Sequence, residues 1–209
     1  MKKIIFATTN QGKVREVKMM MEDFGVDFVT MKDAGIDIDI VEDGKTFEEN
    51  AIIKAKTIME ATGEIALADD SGLEVDYLDG APGIYSARFL GEDTPYDEKN
   101  KYIIEKLKDA KGKERSARFV CAMAVAFPNG EIETCRGTIE GLIGYEQKGK
   151  NGFGYDPIVY VPEYEMTTGE MAPELKNSIS HRGKAFRADE RNFEEKIGFK
   201  LRLGFLKVH

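Results

Sequence analysis

The chain has no tryptophan, only two cysteines and only two histidines in 209 residues. One histidine, His209, is the last residue, so His181 stands alone, and no cysteine pair has metal-ligand spacing. A zinc centre built from Cys and His is therefore excluded. Long apolar runs are missing as well. Met1 to Ala7 opens like a secretory leader but turns polar at Thr8, too short for a leader's apolar region, and no other run approaches membrane-spanning length. The expectation is a cytoplasmic protein with no membrane partner. Positive charge is in deficit: 30 Lys and Arg against 38 Asp and Glu leave a net charge of −8. Coating a nucleic acid needs a basic face, so no nucleic-acid partner is expected. A small anion remains open, because a local group of Lys and Arg can outweigh the global sign. There is no internal repeat and no low-complexity linker.

Cys121 and Cys135 flank Pro128-Asn129-Gly130-Glu131. A two-residue Asn-Gly loop would set Cys121 opposite Thr138 and Cys135 opposite Ala124. The thiols would then face opposite sides of the hairpin, which predicts buried, reduced cysteines and no disulfide. What is abundant is ordinary: 42% apolar and 33% charged residues. A chain of this length buries roughly 70% of its unfolded surface and folds without a staple. One domain over 1–209 is expected, with a possible second lobe at about 73–145.

Ile4 to Ala7 reads as a strand buried on both faces. A helix follows with Val14, Val17, Met21 and Phe24 on one side, ended by Gly25, and then a strand over Val26 to Thr30. That strand–loop–helix–strand order predicts parallel pairing and an α/β class. Ile36 to Ile40 alternates as a half-exposed strand with an acidic face. Thr46-Phe47-Glu48-Glu49 fits a capping box opening a helix to Gly63. Ile65 to Ala68 is a short buried strand that ends in Asp69-Asp70-Ser71-Gly72. A loop over Asp79 to Gly91, a helix over Asp97 to Leu107, a hairpin of Arg118–Phe127 with Ile132–Ile143, a strand at Ile158–Val161 and a last helix over Arg191 to Phe205 complete the reading. The hairpin makes the sheet mixed.

Four segments carry candidate chemistry. Thr8-Thr9-Asn10-Gln11-Gly12-Lys13 lies between a buried strand and a helix, where backbone N–H groups and the dipole favour an anion. It is not a P-loop, since Val14 follows the lysine. A polar turn capped by Asn10 explains the segment equally well. Asp69 and Asp70 at a strand's end repel each other unless a cation or proton intervenes, and hard oxygen ligands suit Mg²⁺. Glu42, Asp43 and Glu49 lie near enough in sequence to complete such a site, although the helix dipole alone accounts for Glu48 and Glu49. Gly152-Phe153-Gly154-Tyr155-Asp156-Pro157 frames a Phe ring with glycines, as stacking on a base requires. Composition alone favours a glycine-rich turn around a core Phe. In Lys176 to Lys184, Ser180 makes an N-cap and places His181 and Arg182 at a helix N-terminus. Cations are unfavourable there unless an anion joins them. No G-x-S-x-G elbow supports a Ser–His–Asp nucleophile.

Together, six segments resemble the inosine triphosphate pyrophosphatase family, the non-canonical purine nucleoside triphosphate pyrophosphatases. They are Ala7 to Lys13, Thr46 to Ala51, Ala68 to Leu73, Gly80 to Arg88, Gly152 to Pro157 and Ser180 to Gly183, in the expected order across most of the chain. The chain departs from the family in carrying Thr9 where Gly is frequent. The resemblance implies an elongated mixed β-sheet flanked by helices, two lobes with the substrate cleft between them, and a homodimer. It implies Mg-dependent hydrolysis of ITP, dITP or XTP to the monophosphate and pyrophosphate, a cleansing of the nucleotide pool.

On that reading Asp70 activates water, and Asp70, Asp69 and Glu42 hold Mg²⁺. Thr8, Thr9, Asn10, Gln11, Gly12, Lys13, Ser71, Lys176 and Arg182 take the phosphates or neutralise their charge. Phe153 stacks on the base within the Gly154-Tyr155 loop, and Asp156 and His181 read its edge. A pocket that donates to a 6-oxo group rejects adenine, whose 6-amino group donates. The rival readings are a nucleotide-binding sensor without turnover and a house-cleaning pyrophosphatase for modified pyrimidine nucleotides.

Overall fold

The computed structural model describes residues 3–21 and 27–188, and the molecule is built on one mixed sheet. β1 (Lys3–Phe6) leads into α1 (Gln11–Met21), and β2 (Asp27–Thr30) returns parallel to β1. Buried apolar strands joined by a helix favour this parallel unit. α2 (Phe47–Thr62), β3 (Ile65–Val75) and α3 (Tyr96–Lys106) follow. Next come β4 (Ser116–Ala126), β5 (Ile132–Ile143), β6 (Val159–Val161), β7 (Met166–Thr167), α4 (Pro173–Ile179) and α5 (His181–Ala188). The strand order is β2-β1-β3-β4-β5-β6-β7. β1 pairs parallel with both β2 and β3, and the remaining pairs are antiparallel, so the α/β class and mixed sheet expected from sequence are what is found.

Apolar side chains cover the sheet in three groups. α1 and α5 cover one face around Phe6, Leu67 and Met123. α2 covers the other with Phe47, Ala51, Ala55 and Ile58. A third group gathers Leu73, Val75, Ile103, Leu107, Phe119 and Ile143 with residues as far along as Met171, well beyond position 145. α2 begins at Thr46, whose side chain accepts the Glu49 N–H, and ends at Gly63 in the left-handed region. The second half of the expected capping box is displaced by one residue: the Glu49 carboxylate accepts the N–H of Lys45 at 2.6 Å.

Three sequence expectations are corrected. Ile36 to Ile40 keeps its alternating burial but forms no strand, because it has no ladder partner; its isoleucines pack against the α2 face instead. β3 does not stop at Ala68. β1 pairs with it only as far as Leu67, and β4 supports it from Ala66 to Val75, so the acidic pair is mid-strand, just past the carboxyl end of β1. The β4–β5 loop has three residues, with Phe127 paired to Glu131 and Gly130 at φ +88°. Cys121 therefore faces Gly137, and Cys135 faces Met123. That one-residue shift puts both thiols on the same face, next to one another diagonally, yet they are not joined in a disulfide. The expected contributions of Phe24, Gly25 and Val26, and the helix over Arg191 to Phe205, lie outside the described residues.

Candidate active site

The carboxyl end of β1, the middle of β3 and the loop before β6 border a cavity of about 390 Å³. Thr8, Thr9, Asn10 and Lys13 line it at the start of α1, whereas Gln11 and Gly12 do not. The Asn10 side chain accepts the N–H groups of Gly12 and Lys13 at 2.9 and 3.1 Å, so the capping role of this loop is real. Gly12 has another function. A Cβ there would lie 2.5 Å from the Phe153 ring, so the bare backbone lets the first turn of α1 press against that ring.

Alternation along β3 separates the two aspartates. Asp70, near-buried, faces α2: its carboxylate accepts Lys54 Nζ at 3.0 Å and Asn50 Nδ2 at 3.3 Å. The same Lys54 ammonium reaches Glu42 at 2.9 Å. Burial raises the Asp70 pKa above the ordinary carboxylate value, against the pull of Lys54 and Lys13. Burial alone would lower Lys54, but Asp70 and Glu42 outweigh it and raise its pKa, so the ammonium stays charged. Neither Lys54 nor Asn50 was legible as a functional residue. The signal was a lysine and an asparagine on the apolar inward stripe of α2, with Phe47, Ala51, Ala55 and Ile58.

Asp69 points the other way and is fully buried. Its Oδ2 accepts Arg182 Nε and Nη2 at 3.1 and 2.9 Å, and Lys13 lies 3.2 Å from Oδ1. Burial would raise its pKa, yet Lys13 and Arg182 hold it well below the usual range. The expected role of Asp69 beside Asp70 and Glu42 as a metal ligand is therefore corrected: strand geometry turns it toward two cations on the opposite face. Ser71, on that face too, accepts Arg182 Nη2 at 2.9 Å. Of the expected acidic trio only Asp70 and Glu42 converge. Asp43 is exposed, and Glu49 caps α2.

The base-side candidates assemble from β5–β6, α4 and α5. Lys176 and Arg182, expected at the phosphates, lie beside the base candidate instead, 5.1 and 5.8 Å from the centre of the Phe153 ring. Asp156 is buried with both oxygens engaged: Oδ2 by the Phe153 N–H at 2.7 Å and Lys176 Nζ at 2.6 Å, Oδ1 by the Thr168 hydroxyl at 2.8 Å. It fixes the loop and Lys176, a different task from the edge reading expected of it. Gly154 lines the cavity at φ +66°, and its carbonyl accepts Asn100 Nδ2 at 3.2 Å. The Tyr155 hydroxyl donates to the Ser86 carbonyl at 2.8 Å.

Ser180 caps α5 as expected, its hydroxyl accepting the Gly183 N–H. His181 stacks on Phe119 with ring centres 4.9 Å apart. Burial, then Arg182 and Lys176, hold its pKa well below 6.5, so it is neutral at physiological pH. Its Nδ1 is buried and has no hydrogen-bond partner among the described residues. An orphan of this kind is what a ligand edge satisfies.

Glu16 ties the two halves together, and no motif flagged it. From α1 it accepts Lys176 Nζ at 2.6 Å and pairs with Arg182 Nη1. Burial would raise its pKa, but Arg182 and Lys176 lower it below 4.5. A folded pKa below the unfolded one means the stabilisation is complete above about pH 4.5. It is lost as pH falls through the lower folded value. Glu16→Gln is expected to remove this acid-side slope along with the ion pair. Melting curves between pH 6 and 3 check it: a variant whose stability falls with pH as steeply as the wild type contradicts the assignment.

Among the described residues no three acidic, His or Cys side chains converge as a metal cage. Asp70 and Glu42, bridged by the Lys54 ammonium, are the two carboxylates whose hard oxygens could hold a cation beside phosphate oxygens. No helix among the described residues is long and apolar enough to cross a membrane.

The fold has solved counterparts. The Ham1 family model matches residues 4–189. A dITP/XTP pyrophosphatase of Bacillus licheniformis is 48% identical over 187 residues, 90% of this chain and 95% of that protein. One from Exiguobacterium sibiricum is 50% identical over 185 residues, covering 88% and 93%. The HAM1 protein of Coxiella burnetii superimposes with a TM-score of 0.84 at 41% identity, over 93% of this chain and 100% of that one. The Staphylococcus aureus Ham1 protein gives 0.82 at 38%, over the same shares. The chain belongs to the Ham1 family.

Proposed function

We propose that the protein hydrolyses non-canonical purine nucleoside triphosphates, ITP, dITP and XTP, to the monophosphate and pyrophosphate. The observation that carries this is one cavity bearing both a phosphate end and a base end: Lys13 and the Asp70–Lys54–Glu42 cluster on one side, Phe153 with Lys176, His181 and Arg182 on the other. Relatives named dITP/XTP pyrophosphatase at about half identity support the substrate class.

Asp70 takes a proton from the attacking water. A positioned general base contributes roughly 10²- to 10⁴-fold. Glu42 and Asp70 would hold Mg²⁺, which supplies charge neutralisation on the phosphates and a more acidic water. Lys13 and Lys54 bring positive charge to the phosphate end. Phe153 stacks on the base, worth about 1–3 kcal/mol for an aromatic platform. Arg182 can only donate, so it favours a 6-oxo group over a 6-amino group. Neutral His181 orients at the same edge, and Asp156 with Thr168 holds Lys176 in place. A homodimer belongs to the same reading.

Turnover of ITP in ¹⁸O-labelled water tests the chemistry. Attack at the α-phosphorus puts the label in IMP. Label in the pyrophosphate would place the attack at the β-phosphorus and overturn the assignment of Asp70.

A further inference from the structure

Five cationic side chains line the cavity: Lys13, Lys54, Arg88, Lys176 and Arg182. Four are already matched to carboxylates of the protein. Lys13 pairs with Asp69, Lys54 with Glu42 and Asp70, Lys176 with Glu16 and Asp156, and Arg182 with Glu16 and Asp69. Arg88 alone has no ion pair among the described residues. Its guanidinium lies over the ring of Tyr85, 4.9 Å from the centre, and the residue is exposed.

The backbone that carries Arg88 is nonetheless held tightly. The Ser86 and Ala87 carbonyls, immediately before it, accept Tyr155 Oη at 2.8 Å and Lys99 Nζ at 2.6 Å. Lys99 is 1% exposed and has no carboxylate partner among the described residues. Its ammonium is held by the Ala87 carbonyl and lies 4.9 Å from the centre of the Tyr96 ring. The Ser86 hydroxyl also accepts the Leu73 N–H at 2.9 Å and donates to the Gly83 carbonyl at 2.7 Å. Gly72 lets this turn approach β3: a Cβ there would lie 2.3 Å from the Gly83 oxygen. The mount is thus pressed against the strand that carries Asp70, two residues away.

A purine base is neutral at its 6-oxo edge, whereas the triphosphate carries nearly all the substrate charge, most of it leaving as pyrophosphate. The charge an unmatched guanidinium can meet therefore lies at that leaving group. Resting on the proposed function above, we infer that Arg88 is a substrate-binding residue that takes the β,γ-phosphates and releases with pyrophosphate, mounted by Lys99 and Tyr155. The arginine is assigned to one end of the substrate, so it separates the two products.

The test is calorimetric titration of the wild type, Arg88→Met and Arg88→Lys with inorganic pyrophosphate and, separately, with IMP, each with Mg²⁺. Pyrophosphate should bind Arg88→Met at least tenfold more weakly, with IMP affinity within twofold. Arg88→Lys should be intermediate, since it keeps the charge and loses the fork. Lys99→Met should weaken pyrophosphate in the same direction by less. Arg88 is exposed, so its substitution should leave the melting temperature near the wild type. Unchanged pyrophosphate affinity, equal weakening for IMP, or a wild type that binds no pyrophosphate would overturn the inference. ITP turnover by the wild type reports separately on the proposed function.

Discussion

Asp70→Asn is expected to lower kcat for ITP by about 10³-fold, the middle of the range for removing a general base. Asn has nearly the same shape, and Lys54 keeps Glu42 as a charged partner at 2.9 Å. The Asn side-chain oxygen can still accept from Lys54 and Asn50, so the local contacts should be kept. Turnover should therefore collapse in a protein that melts close to the wild type. Steady-state IMP release and a melting curve on the same preparation check this. A kcat within tenfold of the wild type would exclude Asp70 as the base. A collapse of turnover together with folding would show that Asp70 is structural.

Arg182→Met should act in the opposite way, on the fold first. The guanidinium is 1% exposed, and it reaches Asp69 on β3 and Glu16 on α1. Methionine fills much of the same space but leaves both carboxylates short of their main partner in a dry interior. Breaking a buried pair by removing one member costs about 3–5 kcal/mol. At roughly 2–4 °C per kcal/mol for a chain of this size, the melting temperature should fall by about 6–20 °C. A double variant, Glu16→Gln with Arg182→Met, should lose less than the sum of the two singles, because one orphaned charge has gone. Additive losses would mean the two side chains do not share one network. Surviving Arg182→Met protein at low temperature should also discriminate less between ITP and ATP, since the obligate donor at the base edge is missing.

The sequence made the β1–α1–β2 unit legible because its signals are local: a buried apolar run, a polar loop, a helical stripe. The α2 boundaries were legible for the same reason, through Thr46 and Gly63. What could not be read were features fixed by distant partners. β3 continues through Asp69-Asp70-Ser71-Gly72 only because β4 supplies a ladder along its whole length, and nothing within those four residues says so. That continuation decides the site, since it sends Asp69 and Asp70 to opposite faces and reduces an acidic trio to two. Ile36 to Ile40 failed in the reverse sense, with strand periodicity but no neighbouring strand. The cysteine register failed by one residue because Asn129-Gly130 is compatible with loops of two or three residues. Lys54, Glu16 and Thr168 were missed because each acts through side chains far away in the chain. The lysine and asparagine on the inward face of α2 are the one local signal of such a role.

The central claim is tested most directly by product analysis with ITP, XTP, GTP and ATP, each with and without Mg²⁺. Monophosphate and pyrophosphate are expected from ITP and XTP, only with the metal and much faster than from ATP or GTP. Nucleoside diphosphate with orthophosphate would place the attack at the γ-phosphorus and contradict that claim, as would equal turnover of all four.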